Sequence, residues 1–410
     1  MTDTALSRSA AYRARRHAAE RRFRMLGALA LVITVCFLAF LLLDIVRKGA
    51  PVFIEHYAKI GVAIDAAKVD AGNPAAGDFD GMLKDAWRAI FPEVTSRTDK
   101  KKLNALFSGA AADDLRARVI ADPALIGKTI EFDVLLSDKA DLYLKGYDSS
   151  GADQAMMQAL TAKTAISRHF AWRFFVNGDS REPEIAGLRG ALMGSLFAAG
   201  VAMLLGLPLG IAAALYLEQF APKNRWTEFI EVNINNLAAV PSIIFGLLGL
   251  AIFLNLFGLP RSAPLVGGMV LSLLVLPTII IATRAALKSV PPSIREAALG
   301  VGATEQQAVF HHVLPVAITG VLTGAILALA RAFGETAPLL MIGMVAFIVD
   351  IPQGLTDAAT ALPVQIYLWS DLPELTYQSK TAGAIMVLIA VLFALNGAAI
   401  YLRKRFERRW

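Results

Sequence analysis

Arg331 and Glu335 stand four positions apart in a stretch otherwise rich in Leu, Ile, Ala and Gly, and on a helix that spacing puts both side chains on one face. A charge at the centre of an apolar membrane helix costs about 2.5–3.5 kcal/mol, so it is kept only beside a partner or a polar pathway. At about 1.5 Å per residue from Pro315, Arg331 lies roughly 24 Å along such a helix, inside the membrane or near its outer half. Two readings stay open. The pair can be structural and neutralise itself, or Glu335 can hold Arg331 in position for a third group. Pro338 breaks the helix just beyond Glu335, and a broken helix beside a charge suits a translocation path. Arg284, late in the preceding apolar run, can snorkel outward. Ser242, with Asn233, Asn235 and Asn236, surrounds Pro241 in another run, where helix–helix hydrogen bonding competes with direct ligand contact.

Other chemistry is poorly represented. Gly127-Lys128-Thr129 ends like a phosphate-cradling loop, but Asp122 stands where G-x-x-x-x-G-K-[ST] requires its first glycine, so a turn before a strand is expected and no ATP site. Neither H-E-x-x-H nor G-x-S-x-G occurs, and His311 and His312 are adjacent, about 100° apart on a helix rather than in the i, i+4 clamp that suits a metal. No catalytic residue and no metal site is assigned.

The elements that must position these residues are read from the distribution of charge. Residues 47–185 carry 39 charged side chains, 19 basic and 20 acidic, whereas residues 190–345 carry 13; the first segment is soluble in character and the second is not. Apolar runs at about 25–43, 189–215, 230–257, 265–287, 316–345 and 382–402 predict six transmembrane helices. The run at 25–43 precedes Asp44, Arg47 and Lys48 without a small-x-small cleavage site, so it reads as an uncleaved anchor. The net charge of +6 is concentrated at the two ends: seven arginines from Arg8 to Arg24 and the cluster Arg403, Lys404, Arg405, Arg408, Arg409. These flank membrane segments and call for no nucleic acid. Lys223, Arg225, Lys288 and Arg295 fall in alternate connections, which predicts both termini in the cytoplasm and residues 47–185 outside. The single Cys36 excludes an internal disulfide.

The fold class expected is therefore a mainly α polytopic membrane protein with a small α+β extracytoplasmic domain between its first two transmembrane helices. Its divisions are a basic cytoplasmic N-terminus (1–24), an anchor (25–46), the outer domain (47–185), a core of five spans (186–402) and a basic cytoplasmic tail (403–410). Within the outer domain, periodicity predicts a helix over Lys102–Ile120, strands over Thr129–Leu136 and Asp141–Lys145 with Ser137-Asp138-Lys139 turning between them, and turns at Gly72-Asn73-Pro74 and Asn177-Gly178-Asp179. In the core, Thr319, Gly320, Thr323, Gly324 and Ala328 form a small-residue series that permits close approach of another helix. The 288–315 loop predicts two short helices, one capped by Ser293 with Glu296 after Pro291-Pro292, the other by Thr304 with Gln307. Physical chemistry alone weighs mere connection and a docking surface evenly for it.

Glu296-Ala297-Ala298, then Gly302, then Leu314-Pro315 resembles the EAA loop of ABC-importer permeases, at every spacing of E-A-A, three residues, G, nine residues, I-x-L-P, with His312 in place of Ile. Ala330-Arg331-Ala332-Phe333-Gly334-Glu335-Thr336-Ala337-Pro338-Leu339-Leu340 and Val240-Pro241-Ser242-Ile243-Ile244-Phe245-Gly246-Leu247 look more specifically like the PstA family of phosphate-specific permeases. The resemblance covers about residues 186–410. It implies a type I permease core in the cell inner membrane that docks through Glu296, Ala297, Ala298, Gly302, Leu314 and Pro315 onto a PstB-like ATPase dimer. That partner, not this chain, would bind ATP and Mg; no cofactor is expected here. A PstC-like second permease and a PstS-like phosphate-binding protein complete the implied complex.

Carried over by position, Arg331 becomes the leading candidate for phosphate passage, with Glu335, Thr336, Arg284 and Ser242 along the path. An arginine fork suits phosphate, and one or two charges release it more readily than a cage would. The same machine for molybdate or sulfate, or a membrane-anchored sensor, are the alternatives. The outer domain departs from the short loop of the common pattern.

Overall fold

The computed structural model describes residues 3–69, 73–147 and 154–406; Gly72 of the first predicted turn and Arg408 and Arg409 of the tail lie outside them. The chain enters on one long helix, α1 (Asp3–Gly49), whose apolar stretch is exposed on all sides. It touches the rest of the protein at its end, where Gly49 is so close to Ala382 and Met386 that a Cβ would stand 2.8 Å from the Met386 sulfur.

The charged segment at 47–185 holds a three-stranded antiparallel sheet, order β2-β1-β3, from β1 (Ile54–Ala63), β2 (Thr129–Leu135) and β3 (Ala165–Phe170). The helices α2 (Phe79–Ile90), α3 (Arg97–Asn104), α4 (Ala110–Ala121), α5 (Asp138–Leu144), α6 (Gln154–Lys163) and α7 (Arg173–Val176) accompany it. Alternate residues of β1, from Ala58 through Ile60 to Val62, join Trp87, Phe79, Leu103 and Leu115 in one core, and the Trp87 indole donates to the Leu103 carbonyl at 2.9 Å. Three expectations need correction. The predicted helix Lys102–Ile120 is two helices, because Ser108 donates its backbone N–H to Leu135 and Phe107 pairs with Leu136, drawing the segment between them to the sheet. The predicted strand Asp141–Lys145 is helical, starting where a turn was expected. Its apparent alternation fits one helical turn as well, with Ala140 and Leu142 buried and Lys145 paired back to Asp141. The central and third strands, β1 and β3, were not foreseen: β1 alternates in burial only from Ala58 onward, and β3 is largely exposed.

The bundle comprises α8 (Arg189–Leu215), α9 (Arg225–Ala238), α10 (Ser242–Gly249), α11 (Pro264–Lys288), α12 (Pro292–Gly300), α13 (Glu305–Gln307), α14 (Leu314–Gly334), α15 (Ala337–Met341), α16 (Leu362–Ser370) and α17 (Leu375–Phe406). Among the described residues five helices are long and apolar enough to cross a membrane, and α9 with α10 makes a sixth if counted as one span. That pair bends by 100°, so the single span expected over 230–257 is broken. Pro241 offers no N–H and drives Val240 out of helical geometry. The span expected over 316–345 likewise stops early, at Gly334, because the Pro338 ring would strike the carbonyl of Gly334 four residues back. At its start α14 joins α13 through a π-helical turn, Ala308–Val313, which absorbs the missing N–H of Pro315.

The small-residue series does what its spacing predicts. A Cβ on Gly320 would stand 2.5 Å from Ala286 Cβ, and one on Gly324 2.5 Å from Ala282 Cβ, so α11 and α14 meet almost backbone to backbone. Gly324→Val is expected to force these helices apart at a cost of about 1–3 kcal/mol, lowering the melting temperature and monodisperse yield in detergent. Gly200→Ala, where a Cβ meets nothing within 4 Å, is the matched control, and equal behaviour of the two variants would refute this packing.

The charged segment is fastened to the bundle at the predicted turn Asn177-Gly178-Asp179. Asp179 accepts from Gln365 Nε2 and Trp369 Nε1, each at 3.0 Å, both donors being buried. A Cβ on Gly178 would lie 1.9 Å from the Val349 carbonyl oxygen. Close by, buried Lys380 donates to the carbonyls of Glu184 and Ala186. Burial pushes the carboxyls of Glu55, Asp138 and Glu184 along the same seam above their usual range.

Candidate functional site

Two broken helices meet in the middle of the bundle. Beyond its break α10 rests on α15: a Cβ on Gly246 would lie 2.7 Å from Pro338 Cα. Arg331 is in the last turn of α14, and Glu335 follows in extended backbone at φ −76°, ψ 133°. The two are therefore not on one helix face, as their spacing suggested. Glu335 instead turns back from the broken end, its Oε1 3.5 Å from Arg331 Nε. Arg331 Nη1 donates to Thr278 Oγ1 at 3.4 Å. With Thr278 fourteen residues into α11 from Pro264 and ten from Lys288, at about 1.5 Å per residue, this cluster sits near mid-membrane.

Both contacts are long, and the arginine side chain is 37% exposed. A guanidinium has five donors in a planar fork, and two long contacts leave most of that capacity facing outward from this chain. The arrangement can offer a bidentate face to an anion while Glu335 and Thr278 set its orientation. Thr278 was missed in the sequence. Its signal was Pro277 immediately before it, inside an apolar helix, where a proline frees a carbonyl and loosens the local ladder.

Of the other candidates, Thr336 heads α15 and its carbonyl accepts from Leu339 and Leu340, which places it beside Glu335. Ser242 opens α10, half-buried, and no hydrogen bond among the described residues ties it to Arg331. Arg284 is elsewhere. It lies six residues past Thr278 on α11, about 9 Å towards the end that carries the 288–315 loop, and bonds Glu218 at 3.2 Å and Glu231 at 2.7 Å. Lys288 adds a third contact to Glu218 at 3.6 Å. Two carboxylates hold Arg284 in a structural ion cluster at the helix end.

The 288–315 loop forms its two short helices. The first begins at Pro292 with Pro291 as its cap and no side-chain capping bond, so the capping box expected at Ser293 and Glu296 is absent; Ser293 lies inside the first turn, and the fixed φ of the prolines starts the helix instead. The second box is present, Thr304 accepting from Gln307 N at 3.3 Å and Gln307 Oε1 from Thr304 N at 2.9 Å. The first helix ends in a Schellman motif. Gly302 N donates to Leu299 O at 3.0 Å and Ala303 N to Ala298 O at 3.1 Å, with Gly302 at φ +92°. Ala298 is buried, whereas Glu296, Ala297 and Gly302 are exposed, as are the large side chains of Val301 and Phe310 at 87% and 51%. Leu314 and Pro315 open α14, half-buried. Val309 and Val313 anchor the loop on Leu215, Ala286 and Leu287. A rigid element with an apolar outer face is what a docking surface requires.

Residues 206–410 match the family described as binding-protein-dependent transport system inner membrane component, and residues 10–154 match a domain of unknown function, DUF3333. The phosphate transport system permease protein PstA 1 of Mycobacterium tuberculosis is 32% identical over 245 residues, covering 60% of this chain and 80% of the relative. PstA of Haemophilus influenzae is 31% identical over 219 residues, covering 53% and 76%. An inward-facing structure of the MetNI methionine ABC transporter superposes with a TM-score of 0.41 at 17% identity, over 54% of this chain and 96% of that one. On its half-chain family match and its PstA relatives, the chain belongs to the binding-protein-dependent inner-membrane transport components and, within them, to the PstA-type ABC-importer permeases.

Proposed function

We propose that this protein is the membrane permease subunit of an importer of inorganic phosphate, and that phosphate crosses the bilayer past Arg331. The observation that carries the reading is the single half-exposed guanidinium held near mid-membrane at the meeting of two broken helices. One fork-shaped cation can replace part of the hydration of an oxyanion there without trapping it. Glu335, Thr278 and Thr336 orient it; Arg284, already paired with two carboxylates, is assigned to the structure of the bundle.

In this reading the chain works by alternating access, with ATP hydrolysed by a PstB-like pair seated on Glu296, Ala297, Gly302 and the neighbouring apolar face. A PstC-like permease covers the open side of the bundle and a PstS-like protein delivers phosphate. The termini are cytoplasmic and residues 47–185 periplasmic, in keeping with the basic ends and the Lys/Arg-bearing connections. The test is anion-stimulated ATPase activity of the complex purified through this subunit and reconstituted with its binding protein. Stimulation by phosphate is expected; stimulation by sulfate or molybdate with none by phosphate would overturn the substrate assignment.

A further inference from the structure

Where the anchor helix gives way to the outer domain, a cleft of about 400 Å³ opens beside the membrane. Arg47, His56, Lys145 and Arg168 line it with Ile54 and Leu144, and among the described residues no carboxylate is part of its lining. Its wall is built by strand register: Ile54 lies opposite Phe170, and His56 opposite Arg168. Residues two apart on a strand share a face, so this face carries an apolar pair next to the anchor and a basic pair one step further out. His56 is buried; Asp141 bonds its Nδ1 at 2.8 Å, and its Nε2 has no partner. Asp141 also holds Lys145 from behind, while Arg47 and Arg168 are exposed and in no ion pair among the described residues.

The depth of the cleft names its ligand. Arg47 stands four positions beyond Leu43, where the apolar stretch ends, about 6 Å of helix, which is about the thickness of the headgroup layer. Next to the cleft, Phe170 and Trp172 are 48% and 68% exposed and pack on each other, and Phe170 also stacks on Phe53 and Phe175, an exposed aromatic cluster with a tryptophan of the kind expected at a membrane surface. We propose that this cleft binds the phosphate-bearing headgroup of an anionic phospholipid from the leaflet on the outer-domain side. Arg47 and Arg168 engage the phosphate, His56 and Lys145 close the site, and Ile54 and Leu144 contact the glycerol and acyl carbons. The lipid thereby ties the anchor helix to the outer domain, at a joint where Gly49 is the anchor's close contact with the bundle.

The test uses the full-length protein in detergent, titrated with phosphatidylglycerol or phosphatidylcholine of identical chains and read by native mass spectrometry. One saturable phosphatidylglycerol site is expected, weakened about thirtyfold in Arg47→Gln/Arg168→Gln, since each basic residue near a membrane surface is worth about a fivefold factor. The double variant Arg21→Gln/Arg22→Gln at the other end of the anchor should leave it intact. Equal affinity in wild type and the Arg47/Arg168 variant, equal loss in both double variants, or no preference over phosphatidylcholine would overturn the proposal. A third arm adds inorganic phosphate. Variant-sensitive binding of phosphate without any lipid preference would overturn the lipid assignment and give the cleft to the free ion.

Discussion

Arg331→Gln is expected to reduce phosphate uptake by the reconstituted complex at least a hundredfold while leaving assembly intact. Glutamine keeps a hydrogen-bonding group near Thr278 but removes the charge and the fork. Hydrogen bonds to charged groups are worth about 1.5–3 kcal/mol each, so the loss of two to a passing oxyanion corresponds to at least that factor in rate. The alternative, that Arg331 and Glu335 merely neutralise one another at 3.5 Å, makes a different prediction for a second variant. If neutrality were the whole purpose, Arg331→Gln/Glu335→Gln would transport normally. In the permease reading it assembles as well as wild type and still fails to transport. Uptake in proteoliposomes, alongside size-exclusion of the complex, separates the two, and wild-type uptake by the double variant would remove Arg331 from the path.

The other large effect is expected at Gly302. Its φ of +92° closes the Schellman motif that ends the first loop helix, and a β-branched residue is a steric outlier there. Gly302→Val should misdirect the turn between the two loop helices and lower substrate-stimulated ATPase activity at least tenfold, with less ATPase co-purifying. Gly302→Asn, a residue that accepts left-handed backbone, should retain most of both. Since a Cβ at Gly302 meets nothing within 4 Å, any large effect of valine arises from backbone geometry or from the docked partner and not from a clash within this chain. Glu296→Lys, exposed on the same element, should weaken ATPase association without altering the melting temperature. Undiminished co-purification and coupling in Gly302→Val and Glu296→Lys together would eliminate the docking role.

Much of this was readable in one dimension because the membrane imposes one-dimensional rules. A span must be apolar for about 20 residues whatever surrounds it, and helix periodicity alone set Gly320 and Gly324 on one stripe. The EAA spacing likewise survived folding, since its two helices and positive-φ glycine are local structures. Expectations failed where a choice depended on distant neighbours. Asp141–Lys145 alternates well enough for a strand, and the helical state of Asp138–Leu144 follows from burial of Ala140 and Leu142 and from Asp141 reaching His56, 85 positions earlier. The 230–257 run has the composition of a span, yet Pro241 turns it through 100°.

The sequence by itself determined that the protein is a membrane bundle with a charged, soluble-looking segment after its first apolar run, that Arg331 sits in an apolar run, and that the 288–315 loop is compact. Charge in hydrocarbon is expensive wherever the chain goes, and turn chemistry is local, so neither conclusion needed coordinates. The tertiary structure alone decided which partners each charge has. It gave Arg331 a hydroxyl from α11 and a glutamate beyond the end of its own helix, and it consumed Arg284 in two ion pairs. It also set His56 and Arg168 across from each other at the membrane edge. Apart from Arg331 with Glu335, these pairings join residues 53 to 112 positions apart, and strand register and helix packing, which local sequence patterns do not encode, are what bring them together.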